Sequence, residues 1–415
     1  MLCCTVAALV WANSSGSSLY HDILHAKIGL AWHGTQHALT VHHWINDGLM
    51  AVFFFVVGLE VKRELVVGEL SSFRKAVLPA SAAVGGMVVP AALYAMLNLG
   101  GDGARGWGIP MATDIAFALG ALAVFGKRVP LVLKVFLTAA AIVDDIGAVL
   151  VIAVFYTEKI SFVALGMAIV LLVALFVVTR ILKIKRLGII LLLIFLVWAA
   201  VLASGIHATI AGIAIAMLVP VRSQIEPSRF VANIDKRMAE LRESTLTTES
   251  LVFDHHQLEA VSEIRETAAK MEPPGLVLEH YLHPVLVFFV LPIFALANAG
   301  VELHGGAAAL ASPIALGIIL GLAIGKPVGM TLFTWGATKV LGMQLPGDLK
   351  WGHIVGVGCL GGIGFTMSLF VSELAFSSPE FGTQAKIGIL AGSVLSAMIG
   401  LALLAKTLPK SESEA

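Results

Sequence analysis

Apolar runs of about twenty residues recur along the whole chain, separated by short polar or charged connections. At 1.5 Å per residue, a helix of that length crosses the roughly 30 Å hydrocarbon core of a bilayer. Segmentation by hydropathy gives twelve candidate spans, near 1–13, 44–61, 76–98, 106–126, 130–156, 160–179, 187–204, 206–221, 284–301, 312–336, 352–372 and 384–405. The pattern predicts an all-α polytopic membrane protein of about 12 transmembrane helices, with residues 1–415 forming a single transmembrane domain. The first run, "MLCCTVAALVWA", would rise only about 18 Å. No basic segment precedes it as in a signal peptide, so it reads as a first helix truncated at its start.

Two segments depart from the apolar pattern. Residues 222–280 are hydrophilic, and "VANIDKRMAELRES" and "QLEAVSEIRETAAK" within them read as amphipathic helices of a solvated loop. Residues 14–43 carry turn residues ("HGTQ") between short alternating pieces, which predicts a small external hairpin.

Two spans read as broken. "GWGIPMATDIAFALG" has Pro110 just ahead of Thr113 and Asp114, and "GVGCLGGIGFTMSLF" sets Gly356, Gly358, Gly361, Gly362 and Gly364 ahead of Thr366 and Ser368. Small residues also serve close helix packing. However, each stretch is the middle span of three, within 76–156 and 312–405. Interrupted helices at corresponding places in two halves predict a transport site between inverted repeats. Unwound backbone exposes positive and negative half-helix ends that need opposing charges.

Composition agrees with a lipid solvent: 58% of residues are hydrophobic and 13% charged, against about 25% charged in soluble domains. The 27 basic residues balance 27 acidic ones, so no nucleic acid or other polyanion is implied as a partner. Cys3, Cys4 and Cys359 have neither metal-ligand spacing nor a disulfide framework. No Walker A or dinucleotide motif is present, which points to ion gradients rather than nucleotide as the energy source. One alternate set of loops holds 21 of the 27 basic residues and the opposite set holds 4. By the positive-inside rule both termini are then cytoplasmic and the 222–280 loop is cytoplasmic too.

Against this background four ionisable residues stand near mid-span: Asp114, Asp144, Asp145 and Lys326. Each carboxylate costs about 2.5–3.5 kcal/mol at the centre of a spanning helix, so such residues are candidates for function. Buried ion pairs that merely fix packing would balance, whereas three acids and one lysine do not. Asp144 and Asp145 are adjacent and point about 100° apart on a helix. One can pair with Lys326 while the other faces a cavity. The same oxygens suit a proton or a small hard cation, and competition between the two for one carboxylate is exchange.

Taken together, "WINDGLMAVFFFVVGLEVKREL", "GWGIPMATDIAFALG", "VPLVLKVFLTAAAIVDDIGAVLVIAVFYT", "SGIHATIAG", "LPIFALANAGV", "IGKPVG" and "GIGFTMSLF" give the chain its kinship. It resembles the NhaA sodium/proton antiporters of bacterial inner membranes over nearly its whole length. That family is a known example of inverted repeats, so the repeat reading and the resemblance are one expectation rather than two. The resemblance implies two discontinuous helices crossing at mid-membrane, with Thr113 and Asp114 at the crossing. It implies electrogenic export of sodium or lithium against entering protons, active at alkaline pH, with no cofactor. Asp145 is then the main sodium ligand, with Asp144 and Thr113 beside it and Lys326 paired to Asp144. A pH-regulating cluster of Glu60, Arg63, Glu64, Glu279, His280 and His283 follows, with His207 as a further pH-related position. A homodimer supported by the external hairpin is implied as well.

Two rival readings bear on the same residues. An intramembrane aspartyl protease needs two aspartates on facing helices that share a proton, whereas here the tightest pair is adjacent on one helix beside a lysine. A sodium- or proton-coupled symporter of an organic solute would need more aromatic and hydrogen-bonding groups than Thr113 and Thr366 supply. The chain therefore reads as a transporter and not an enzyme.

Overall fold

Backbone in lipid must satisfy its N–H and C=O groups within its own segment, and each of the twelve apolar runs is accordingly helical over most of its length. The structure is a computed structural model describing residues 1–32, 35–157, 159–182, 186–223, 225–243, 255–302 and 306–409. Parts of three expectations lie outside these residues: His33 and Gly34 of the hairpin turn, 244–254 of the hydrophilic loop, and Lys183, Lys185 and Lys410 of the charge count.

The chain opens with α1 (Leu2–Ala12), α2 (Ser17–His25) and the strands β1 (Lys27–Trp32) and β2 (Thr35–Thr40). The strands form the expected antiparallel hairpin, in register from Lys27 opposite Thr40 to Trp32 opposite Thr35. Then follow α3 (Val41–Val66), α4 (Phe73–Asn98), a tight 3₁₀ half-helix (Asp102–Met111), α5 (Ile115–Ala123), α6 (Leu131–Phe155) and α7 (Phe162–Ile181). α8 (Leu187–Ala203) and α9 (Thr209–Leu218) lead into the hydrophilic pair α10 (Pro227–Glu243) and α11 (His255–Met271). The last elements are α12 (Pro274–Asn298), α13 (Pro313–Val340), the half-helices α14 (Trp351–Gly361) and α15 (Phe365–Ala375), and α16 (Pro379–Thr407).

Among the described residues, seven helices are long and apolar enough to cross a bilayer, or nine if each of the two bent pairs is one span. The bends are 44° and 47°. α1, α8 and α9 are apolar but only 11, 17 and 10 residues long, so length alone does not carry the count to twelve. The ninth candidate span begins at Pro274 rather than near 284. Glu279, His280 and His283 depress its hydropathy, but the pre-set backbone of Pro274 at the first helical position starts the helix there. α10 and α11 form a helical pair, where Arg237 bridges Glu240 of its own helix at 2.7 Å and Glu263 of the other.

Lipid offers leucine no reason to leave it, so helix contacts here rest on close packing of small residues. α4 and α13 approach backbone to backbone at Gly85 and Gly329, and a methyl on either glycine would meet the other's carbonyl oxygen. The outer face of α7 is left to lipid, with Phe162 and Val163 about four-fifths exposed. Polar residues concentrate inside instead: Thr113, Asp114, Asp144, Asp145, Lys326, Thr366 and Ser368 are all buried, around the two helix breaks. We expect Gly329→Ala to destabilise the protein by about 1–3 kcal/mol through overpacking. Gly166→Ala on α7, where nothing lies within 4 Å of the added methyl, is expected to cause no loss. Thermal unfolding in detergent, followed by tryptophan fluorescence, checks both.

Candidate functional site

The 3₁₀ half-helix stops at Met111, Ala112 and Asp114 are extended, and α5 starts at Ile115. On the other broken span α14 stops at Gly361, and Gly362, Ile363 and Gly364 carry the chain to α15. The two breaks meet. Asp114 N–H donates to Ile363 O at 2.7 Å, the Thr113 hydroxyl donates to Gly361 O at 2.8 Å, and the Ser368 hydroxyl donates to Ile109 O at 2.8 Å.

One carboxylate serves both helix starts. Asp114 Oδ1 accepts the Phe117 N–H of α5 at 3.1 Å. Its Oδ2 accepts the Thr366 N–H of α15 at 3.1 Å and the Thr366 hydroxyl as well. An acid at two N-terminal ends answers two positive half-dipoles at once. The negative end of the 3₁₀ half-helix is answered by Lys326, whose Nζ donates to Met111 O. Lys326 follows a π-helical turn at Gly321–Gly325, a local widening of α13.

Lys326 also donates to Asp144 Oδ2 at 2.8 Å, and both side chains are buried. Asp144 Oδ1 is buried too but accepts no hydrogen bond among the described residues. Thr113 flanks it, yet the Thr113 hydroxyl is committed to Gly361 O. Asp145, buried to the same degree, makes no hydrogen bond or ion pair among the described residues. The charged groups around Asp145 are Asp144, Glu60, Asp114 and Lys326, three acids against one base. A cavity of about 10 Å³ has room for roughly one water. Thr113, Ala140, Asp144, Lys326, Met330 and Gly361 line it. The sequence reading set the cavity on the unpaired aspartate, but it adjoins the paired one. Asp145, offset by about 100° along α6, is not among the residues that line this cavity.

The residues expected to respond to pH separate into two places. Arg63 on α3 reaches Glu60 at 3.9 Å, Glu64 at 3.3 Å and Glu279 of α12 at 3.4 Å. His283 faces Glu279 electrostatically and is exposed. His280 is exposed, with its ring against Tyr281, and forms no ion pair among the described residues. His207 stands elsewhere: its Nε2 lies 3.1 Å from Tyr156 O, and it acts on Asp47 near the opposite end of α3.

The family model for Na+/H+ antiporter 1 matches residues 1–404. The chain belongs to that family. Among relatives of this Na+/H+ antiporter family, the protein named Na(+)/H(+) antiporter NhaA 2 of Syntrophotalea carbinolica is 45% identical over 409 residues, covering 98% of this chain and 93% of the relative. A protein of the same name from Helicobacter hepaticus is 43% identical over 96% of this chain and 90% of its own. Na(+)/H(+) antiporter NhaA of Oleidesulfovibrio alaskensis is 43% identical over 100% of this chain and 92% of its own.

Within this family member, several contributors escaped the sequence reading. Met111 acts through its carbonyl, which no side-chain motif reveals. Ser393 of α16 accepts the Phe365 N–H at the start of α15 at 3.2 Å. Glu373 pairs with Lys386 at 2.7 Å; a lone acid in "SLFVSELAF" was the available signal. Asp144→Asn leaves Lys326 buried without its counter-charge and is expected to cost about 3–5 kcal/mol. Asp144→Asn combined with Lys326→Met is expected to recover part of that loss in the same unfolding assay, the remainder being the Met111 carbonyl left without its donor.

Proposed function

We propose that the chain is an electrogenic Na+(Li+)/H+ antiporter of a bacterial inner membrane, exporting cytoplasmic sodium in exchange for external protons. The proposal includes twelve spans in two inverted repeats, cytoplasmic termini, a cytoplasmic 222–280 loop and a homodimer. One observation carries it: three buried carboxylates meet one buried ammonium, and one oxygen of Asp144 accepts no hydrogen bond among the described residues. The charge left over calls for protons or a cation, and carboxylate oxygens accept either.

Asp145, unpaired and beside Asp144, is the main cation ligand in this reading, with Asp144 and Thr113 completing the oxygen set. A sodium ion entering from the cytoplasm displaces protons from the carboxyls, and protons entering from outside displace the sodium. The two cannot occupy the carboxylates together, so the site turns over only by exchange. Lys326 and Asp114 hold the breaks against each other while this charge changes. Release of more protons than cations taken up moves net charge in each cycle. A cavity of about 10 Å³ disfavours symport of an organic solute, whose pockets measure about 300–1,000 Å³.

In everted membrane vesicles holding a proton gradient, sodium and lithium are expected to dissipate the gradient and potassium is not. An equal response to potassium overturns the selectivity; no response to any cation overturns antiport. Asp145→Asn is expected to abolish exchange, because an amide neither takes up nor releases the competing proton.

The Arg63 cluster ties α3 to α12 on the cytoplasmic side and is the proposed pH control. His283 lies within electrostatic reach of Glu279, so a change of charge within the cluster alters the pull between Arg63 and Glu279 and with it the packing of α3 against α12. Changing Glu60, Glu279 or His283 is expected to shift the pH profile of exchange at saturating sodium while maximal activity stays substantial. Three unchanged profiles reduce the cluster to surface ion pairs worth about 0–1 kcal/mol each.

A further inference from the structure

The opposite end of α3 carries a second polar cluster. Glu373 of α15 offers Oε1 to Lys386 of α16 at 2.7 Å and Oε2 to His42 of α3 at 3.7 Å. These side chains are only 16–25% exposed. Asn298 of α12 gives one amide proton to Phe294 O at 3.0 Å and the other to Asn46 Oδ1 at 2.9 Å. Its Oδ1 is thereby left as an acceptor for His42 Nε2–H at 3.1 Å. Asn46 Nδ2 lies 3.4 Å from the same histidine nitrogen. Four helices, α3, α12, α15 and α16, meet at this point.

What makes the cluster more than a surface pair is the helix it holds. Thr366, Phe370 and Glu373 are spaced i, i+4 and i+7, so they share one face of α15. Thr366 grips Asp114 at the break. The Phe370 ring packs 5.8 Å from Phe54 of α3 and 6.4 Å from Phe294 of α12. Glu373 closes the stripe about 10 Å along the axis from Thr366. A half-helix lacks the continuous backbone that steadies a full span, so contacts at its far end decide its tilt at the break.

We propose that Glu373 is a positioning residue: through His42 and Lys386 it pins the far end of α15 to α3 and α16. The groups facing His42 are Glu373 from α15, Lys386 from α16, Asn298 from α12, and His43 and Asn46 on its own helix. The carboxylate meets Lys386 and His42 through different oxygens, so one side chain serves both ties. Tyr20 of α2, which also faces Glu373, donates its hydroxyl to Leu296 O. The inference rests on the antiport reading only for its consequence, the tilt of α15 at the site.

Hydrogen exchange on the purified full chain in detergent, at one fixed pH, tests it. Peptides covering 365–376 are expected to be about fivefold better protected in the wild type than in Glu373→Gln, the effect of one half-buried ion pair. His43→Gln is expected to keep the wild-type protection. Unchanged protection in Glu373→Gln, or an equal loss in His43→Gln, overturns the proposal. Exchange in proteoliposomes then separates the two readings. A wild type without sodium–proton exchange overturns antiport and leaves the pin standing. An active wild type whose KM for sodium is unmoved by Glu373→Gln, or is moved and not restored toward wild type by Glu373→Asp, overturns the positioning role.

Discussion

A helix broken inside a membrane exposes N–H groups on one side of the gap and carbonyls on the other, with no water to satisfy them. Two such breaks lie against each other here, and the unsatisfied ends act as partial charges of about half an electron each. Asp114 takes both positive ends and Lys326 takes a negative one. Neither residue would be tolerated at this depth without the other's surroundings. The breaks make room for the charges, and the charges keep the breaks from collapsing into ordinary helix.

Everything at the site follows from how Lys326 divides its protons. It holds Met111 O on the broken span and Asp144 on α6, so a change of charge on the aspartates is felt directly at the break. In the proposed cycle this is the coupling: a proton lost or a cation gained at Asp144 and Asp145 alters what Lys326 balances. The ion chemistry and the helix geometry then share one side chain.

α3 and α12 are joined at both ends. Arg63 and Glu279 tie them at one end, and His42, Asn46 and Asn298 tie them at the other. Phe54, Phe294 and Phe370 fill the space between and seat α15 on the pair. A histidine stands near a carboxylate at each tie: His42 lies 3.7 Å from Glu373, and His283 acts on Glu279. The two ties lie at opposite ends of α3, so α15 and the Arg63 cluster are held at separate places.

Hydropathy alone determined the class of this protein and the approximate places of its apolar helices, because lipid imposes the same requirement on every stretch of backbone it surrounds. It also exposed Asp114, Asp144, Asp145 and Lys326, since a charge in an apolar run has no local reason to be there. The breaks at Pro110 and Gly361–Gly364 were legible from their proline and glycines. Contacts between segments were not. That Asp114 caps both half-helices, that the small cavity adjoins Asp144 rather than Asp145, and that His207 stands apart from Arg63 depend on how distant helices are rotated and offset. The Met111 carbonyl and the Glu373 cluster were hidden for the same reason. Backbone groups carry no sequence signal, and a lone glutamate acquires meaning only from the histidine and lysine that two other helices bring to it.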